Sequence, residues 1–474
     1  MVSQAPTIPD ADPDAPIGAR LDLPLNVQVF LNDRPMARTQ WMILAICFLV
    51  LIADGFHTAA MAFVAPALTL ELSISKIALG PVMAAALVGL GFGALVAGPL
   101  ADRFGRKRVL IASVVICSLG SIVTASATGL TTLVVYRLIT GFGIGAAMPN
   151  CTTLASEFVP AKRRAFLLNL MFCGFSLGAS TGGFLAAWLV PHFGWQSVFL
   201  IGGAAPLCLA AFMIRMPESI SFMVVQHYPD KKIRAALAEL AGRDAHAQSH
   251  IAAANSFKLN EANTHQQKSP WKVMFEPRFR AGTFMLWITY FMGLVLYYLI
   301  TSWMPTLVRG VGYSVSRAAV ATALFPLGGT IGALICGWLM GRVNATRVVG
   351  AVYFLTALLL LVLARSTNSF NSLMIMTFLT GLAMNGAQTS MPTLAATSYP
   401  TYGRASGVSW MLAAGRIGGI IGAFGGGILL QVGFSMTQII SWLSVTAFLA
   451  AFALLYKDHA NHQIQLKSPT DLPI

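Results

Sequence analysis

Asp54 lies in a long apolar run from Trp41 to Pro66, and His57 follows it by about one helical turn. On a helix the two share a face. An ionised carboxylate in hydrocarbon is costly, so Asp54 should face a protein interior or a wet cavity. It is also the one deeply placed acid, because the chain has no Asp or Glu from Ala281 to Lys457. If the protein moves protons on a carboxylate, Asp54 is the candidate. His57 could relay protons or bond a ligand, or it could pack as a neutral ring. Two arginines sit in equally apolar surroundings. Arg137 precedes Gly141-x-Gly143-x-Gly145. It could snorkel to the interface, or face inward near Asp54. A cation there would hold the carboxylate charged, and its withdrawal would admit a proton. Arg416, within Gly415-Arg416-Ile-Gly418, has no acid in its own half of the chain. It could bond backbone carbonyls or grip a substrate carboxylate, whose shape matches a guanidinium fork.

Neutral groups could complete a pocket. Asn385, Gln388, Thr389 and Ser390 form a polar patch in one apolar segment, suited to binding a hydroxyl or carboxylate or to bonding between helices. Tyr290, Tyr297, Tyr298 and Trp303 could stack on a planar ligand, or serve at the membrane interface. Other chemistries lack their signatures. The six cysteines have no CxxC spacing, and no Walker loop, nucleophile elbow or metal signature occurs. No metal and no cofactor is expected, with the proton as the coupling ion.

The elements that must hold these residues are membrane spans. The chain of 474 residues is 56% hydrophobic and 10% charged, against about 25% charged in soluble domains. A net charge of +14 could suggest nucleic acid, but the basic residues sit in short loops between apolar runs, which excludes that partner in favour of a lipid bilayer. Spans need about 20 apolar residues, and twelve are read at about 41–68, 77–100, 108–128, 131–156, 165–190, 195–215, 281–304, 316–340, 347–365, 370–396, 405–430 and 434–456. The expected fold is an all-α membrane protein of two pseudo-symmetric six-helix bundles. Residues 1–40 form a cytoplasmic tail without regular structure, 41–216 the first bundle, 217–280 a cytoplasmic loop, 281–456 the second bundle and 457–474 a second tail. Within the loop, Asp230–Gly242 is amphipathic, and is expected along the inner membrane surface or as a solvated linker. Of the 31 Lys and Arg, only Lys76, Arg309, Arg317 and Arg365 fall outside and Arg137 and Arg416 within spans, which places both termini in the cytoplasm.

The halves repeat. Gly98-Pro-Leu-Ala-Asp102-Arg103-Phe-Gly105-Arg106-Lys-Arg108 matches Gly337-Trp-Leu-Met-Gly341-Arg342-Val-Asn-Ala-Thr-Arg347, and Pro160-Ala-Lys-Arg-Arg164 matches Pro400-Thr-Tyr-Gly-Arg404. Two homologous bundles imply a cavity at their interface and alternating access by rocking. In the first loop Gly98 would allow close helix approach, and Asp102 would pair with a basic residue across the bundle as a latch. Gly341 replaces that acid in the second copy. Glu157 and Glu218, near the ends of spans four and six, are expected as gate contacts.

At these motifs the chain resembles the major facilitator superfamily. It is similar more narrowly to the aromatic acid:proton symporters, through Asp54-Gly-Phe-His-Thr-Ala-Ala, the Gly98–Arg108 loop, Gly145-Ala-Ala-Met-Pro-Asn150, Met171-Phe-Cys-Gly-Phe175, Pro191-His-Phe-Gly-Trp195, Pro217-Glu-Ser219 and Gly407-Val-Ser-Trp410. The resemblance implies proton-coupled uptake of benzoate-type or hydroxybenzoate-type acids across a bacterial inner membrane, by a monomer. It also implies an essential acid at Asp54 and functional arginines at Arg137 and Arg416. His57 stands where members usually carry a second Asp, which bears on proton number. Muconate-like or nicotinate-like anions remain alternatives. Drug:proton export is disfavoured, since Ala179 occupies the proline position usual in exporters and the cavity is short of acids.

Overall fold

The computed structural model describes residues 25–32, 34–71, 74–242, 244, 248–249, 251–252, 254, 256–258, 272–399 and 401–467. Twelve long helices run through them: α1 (Arg38–Glu71), α2 (Lys76–Phe104), α3 (Arg106–Thr124), α4 (Leu130–Phe158), α5 (Ala161–Phe193), α6 (Gln196–Met213), α7 (Pro277–Gly310), α8 (Val315–Met340), α9 (Ala345–Arg365), α10 (Phe370–Ser398), α11 (Thr401–Gln431) and α12 (Met436–Lys467). Among the described residues, eleven helices are long and apolar enough to cross a membrane. The remaining one is α10, where Asn371, Asn385 and Gln388 dilute the apolar run. Side-chain oxygens of Ser75, Ser314 and Asn344 cap α2, α8 and α9, satisfying amides that a helix start leaves free.

The helices form two bundles with one packing plan. In the first, α1 lies on α5, α2 and α3 on α4, and α3 on α6. In the second, α7 lies on α11, α8 and α9 on α10, and α9 on α12. The α1–α5 approach depends on glycine. A side chain at Gly55 would strike the Phe175 carbonyl, and one at Gly178 the Ile52 carbonyl. That approach fixes the helix face next to Asp54.

The bundles meet along α5–α8, α2–α11 and α1–α7. Among the described residues, three side-chain hydrogen bonds cross between them. Arg309 Nη1 donates to the Pro66 carbonyl (3.0 Å), Ser316 Oγ to Ala187 (2.8 Å) and Ser180 Oγ to Ala323 (2.9 Å). All three lie toward the end where α1 and α7 finish. There Gly80 also packs on Phe424, and Gly427 on the Lys76 carbonyl. No such bond crosses at the opposite end among the described residues. Gly98 faces open space there, so the close helix approach expected of it is not made in this conformation.

Two expectations about the polar segments change. The first tail holds regular structure: Leu25–Asn26 pairs in parallel with Phe257–Lys258, and a short helix spans Val27–Asn32. The amphipathic helix Asp230–Ala241 turns Ile233, Leu237 and Leu240 onto protein rather than lipid. These side chains join a cluster with Val27, Phe30, Leu31, Phe158 and Met216 beneath the first bundle. Arg234 clamps the arrangement through the carbonyls of Ala252 and Ala254, both at 2.7 Å. An apolar stripe needs a cover, and here the chain supplies its own.

Candidate functional site

The deepest polar cluster lies in the first bundle. Asp54 is 3% exposed and His57 and Arg137 are sealed. Arg137 Nη2 donates to the backbone carbonyl of His57 at 3.0 Å, while its Nε and Nη1 have no partner. Asp54 makes no ion pair among the described residues, and its Oδ2 is buried without a hydrogen bond. The anticipated hold of Asp54 on Arg137 is therefore absent in this conformation. The guanidinium engages α1 one turn further along, on the main chain. Asp54 and Arg137 meet through the α1 backbone, whose His57 carbonyl, three residues after Asp54, takes the guanidinium. The His57 ring sits beside Gly202 and edge-on to Phe56, with neither nitrogen in a well-formed hydrogen bond.

Two narrow clefts open between the bundles. The first is lined by Thr58, Arg137 and apolar side chains of α1, α2 and α4, with Tyr298 and Ser302 opposite on α7. The second is lined by Thr58, Phe175 and Ala179, with Tyr297, Thr301 and Thr322 opposite. Thr58 belongs to both. Sequence reasoning missed it, although it follows Asp54 by four residues and so shares its helix face. It likewise missed Ser302.

The second bundle's candidates sit behind Tyr298. Arg416 is half-buried, within electrostatic reach of Tyr290 and Tyr298. Those two rings lie against α11 at Gly415 and Gly419. Gln388 Oε1 accepts from the Tyr353 hydroxyl (2.6 Å), while its Nε2 is unpaired. Asn385 is buried against Gly329, its Nδ2 unpaired. None of Arg416, Asn385 and Gln388 lines either cleft. Trp303 is overturned as a stacking residue. It is fully buried, its indole donates to the Ala423 carbonyl (2.7 Å), and its ring fills the space at Gly426.

The loop residues form a compact polar knot. Arg106 bonds Asp102 (3.1 Å) and Glu157 (3.5 Å) and lies over the Phe222 ring. Ser219 Oγ donates to Glu157, and Glu218 Oε1 accepts the backbone amides of Lys107 and Ser219, both at 3.0 Å. Gly105 makes the turn with φ near 100°, and a side chain there would strike the Glu218 carboxylate. Asp102 thus pairs four residues along its own corner rather than across the bundle, because Arg106 is the nearest cation. Arg103 lies over Phe104, Arg108 is exposed, and Arg164 reaches only the Val159 carbonyl (3.4 Å). In the second copy Arg342 stacks on Trp338 at 4.0 Å, and Arg347 pairs with Asp458 at 2.8 Å.

Two like bundles of membrane-length helices, with polar clefts where they meet, define a multi-pass membrane transporter. The sequence profile of the Major Facilitator Superfamily matches residues 46–342 and 287–471, and the chain belongs to that family. It is 45% identical to the 4-hydroxybenzoate transporter PcaK of Pseudomonas aeruginosa, covering 95% of this chain and 98% of that one. It is 44% identical to a gallate transporter of Pseudomonas putida, covering 93% and 96%. The crystal structure of a D-xylose-proton symporter superposes with a TM-score of 0.66 at 15% identity, covering 87% of this chain and 97% of that one, a likeness of fold.

Proposed function

We propose that the protein takes up a hydroxybenzoate-type carboxylate together with a proton, across a bacterial inner membrane and by alternating access. The observation that carries this is the first cleft. It places Arg137, whose Nε and Nη1 are unpaired, beside a phenol and apolar walls of both bundles, with Thr58 of the same cleft one turn along α1 from the buried Asp54. A planar apolar anion fits that chemistry. The near full-length likeness to carriers of 4-hydroxybenzoate and gallate supports the same substrate class. The working unit in this reading is a monomer. The proton is the coupling ion and no cofactor is required.

The distribution of Lys and Arg supports cytoplasmic termini, with Lys76 and Arg309 outside. On that orientation the three inter-bundle bonds close the outer end, and the conformation faces inward. Moving one negative charge inward against about 100 mV costs about 2.3 kcal/mol. A proton carried with the anion cancels that cost, and the pH gradient then drives accumulation. Asp54 is the proton site in this cycle, and Arg137 takes the substrate carboxylate. Arg416 and Gln388 support Tyr290 and Tyr298 from behind, and Asn385 packs beside them in the second bundle.

The test is uptake of labelled 4-hydroxybenzoate and gallate into liposomes holding the purified protein, with and without an acid exterior. Accumulation of either acid that follows the gradient is expected. Gradient-independent equilibration would remove the proton coupling, and no uptake of any aromatic acid by folded protein would remove the substrate class.

A further inference from the structure

Threonines inside these helices have a settled habit. Thr140, Thr152, Thr289, Thr301, Thr322, Thr377 and Thr389 each donate their hydroxyl to the carbonyl four residues back, at 2.7–2.9 Å. Thr58 breaks it. Its Oγ1 is buried and bonds nothing, although the Asp54 carbonyl stands in the usual place. Thr58 stands where both clefts meet, with that hydroxyl uncommitted. Ser302 faces it from α7 across the first cleft, on the opposite bundle. No hydrogen bond of Ser302 is seen among the described residues. It stands next to Thr301, whose own hydroxyl is spent on the Tyr297 carbonyl.

The cleft thus has a division of labour. Arg137 offers two unpaired cationic donors, suited to a carboxylate. Met61, Met83, Leu87, Leu90 and Ile144 offer only apolar contact, suited to ring faces and edges. What remains are hydroxyls with no partner seen among the described residues: Thr58 from the first bundle, and Ser302 beside the Tyr298 phenol from the second. A hydroxyl group both donates and accepts, so a single ring hydroxyl can satisfy two such partners at once. An apolar ring edge satisfies neither.

We propose that Thr58 and Ser302 together read a ring hydroxyl of the substrate, and that this group bridges the two bundles. This rests on the aromatic-acid reading above and deepens it. Benzoate would bind through its carboxylate and ring yet leave the pair unbridged. A hydroxylated acid would bind both bundles through its ring substituent and so favour the closed, loaded state over the open one. Selectivity for hydroxylated acids then lies in two neutral side chains, one on each rocking body. A buried donor left without a partner is the principal source of such discrimination.

The experiment measures kcat/KM for 4-hydroxybenzoate and benzoate in liposomes, for the unaltered protein and for Thr58→Val, Thr58→Ser, Ser302→Ala and the double variant Thr58→Val/Ser302→Ala. Valine keeps the shape of threonine without its hydroxyl. The ratio of 4-hydroxybenzoate over benzoate should fall about 5- to 10-fold in Thr58→Val and a few-fold in Ser302→Ala, the loss falling mainly on 4-hydroxybenzoate. Thr58→Ser should keep the ratio. The double variant should lose less than the product of the single losses, because one substrate group meets both residues. An unchanged ratio in Thr58→Val and Ser302→Ala overturns the proposal, as does an equal loss for both acids. Should Thr58→Val fail to reach the membrane, Ser302→Ala alone decides by the same ratio. If the unaltered protein carries neither acid, the functional reading itself has failed, which the variants cannot mimic.

Discussion

The two bundles share one packing plan and differ in where they keep their acids. The first holds Asp54 in its core and ties its loop with Asp102, Glu157 and Glu218 around Arg106. The second has no acid before Asp458, so its copy of the loop reaches to α12 for a partner. Repetition has kept the helices and the basic residues while moving the counter-charge to a different helix. The first bundle thus carries the buried carboxylate, and the second presents aromatic and neutral polar surface. Its core is correspondingly better satisfied: Tyr353 on Gln388, Trp303 on the Ala423 carbonyl.

That contrast can be broken at four points. The largest effect is expected from Asp54→Asn. With no second carboxylate in the membrane core, gradient-driven accumulation should fall by about 5- to 150-fold, the range of a typical coupling free energy. Exchange of labelled for unlabelled substrate should persist. Full accumulation by this variant would place the proton elsewhere. Next comes Glu157→Gln, which leaves the part-buried Arg106 with a weaker partner. A cost of about 1–2 kcal/mol to that closed corner corresponds to about 5- to 30-fold in its conformational balance. Faster labelling of a cysteine placed at position 222 would register it, and unaltered labelling would show that the knot is not a latch.

Trp303→Phe tests whether the second bundle's aromatic is structural. It should cost about 1 kcal/mol of stability through the lost bond to Ala423, lowering Tm with KM for substrate unchanged. A raised KM with unchanged Tm would return Trp303 to the binding site. The smallest effect belongs to Asp458→Asn. The Arg347 partner is largely exposed, and such pairs contribute about 0.2–1 kcal/mol. Transport should change less than about fivefold, in contrast to Glu157→Gln. Equal effects of the two substitutions would erase the asymmetry.

Much of the fold was legible because membrane spans are written in composition. Twelve apolar runs, the loop repeat and the family resemblance all follow from residue order. Partners were less legible. The stripe Ile233, Leu237 and Leu240 announced an apolar face without saying what covers it, and the cover is the short helix at Val27–Asn32, more than 200 residues away in sequence. Trp303 and Tyr298 are near neighbours on one helix, yet one fills the bundle and the other faces a cleft, a difference of helix face that the local sequence leaves open. Thr58 was overlooked because threonine in a helix ordinarily spends its hydroxyl locally. Only the surroundings show that this one does not.

The three bonds that join the bundles share a feature with an evolutionary consequence. Each runs from a side chain, Arg309, Ser316 or Ser180, to a main-chain carbonyl. The acceptor atom survives any substitution that preserves the backbone, so at Pro66, Ala187 and Ala323 packing alone, and not hydrogen bonding, constrains the side chain. Each donor can be altered singly, with no compensating change required opposite. Such a seam can be retuned in single mutational steps, letting descendants of one carrier trade speed against tightness without passing through a broken intermediate.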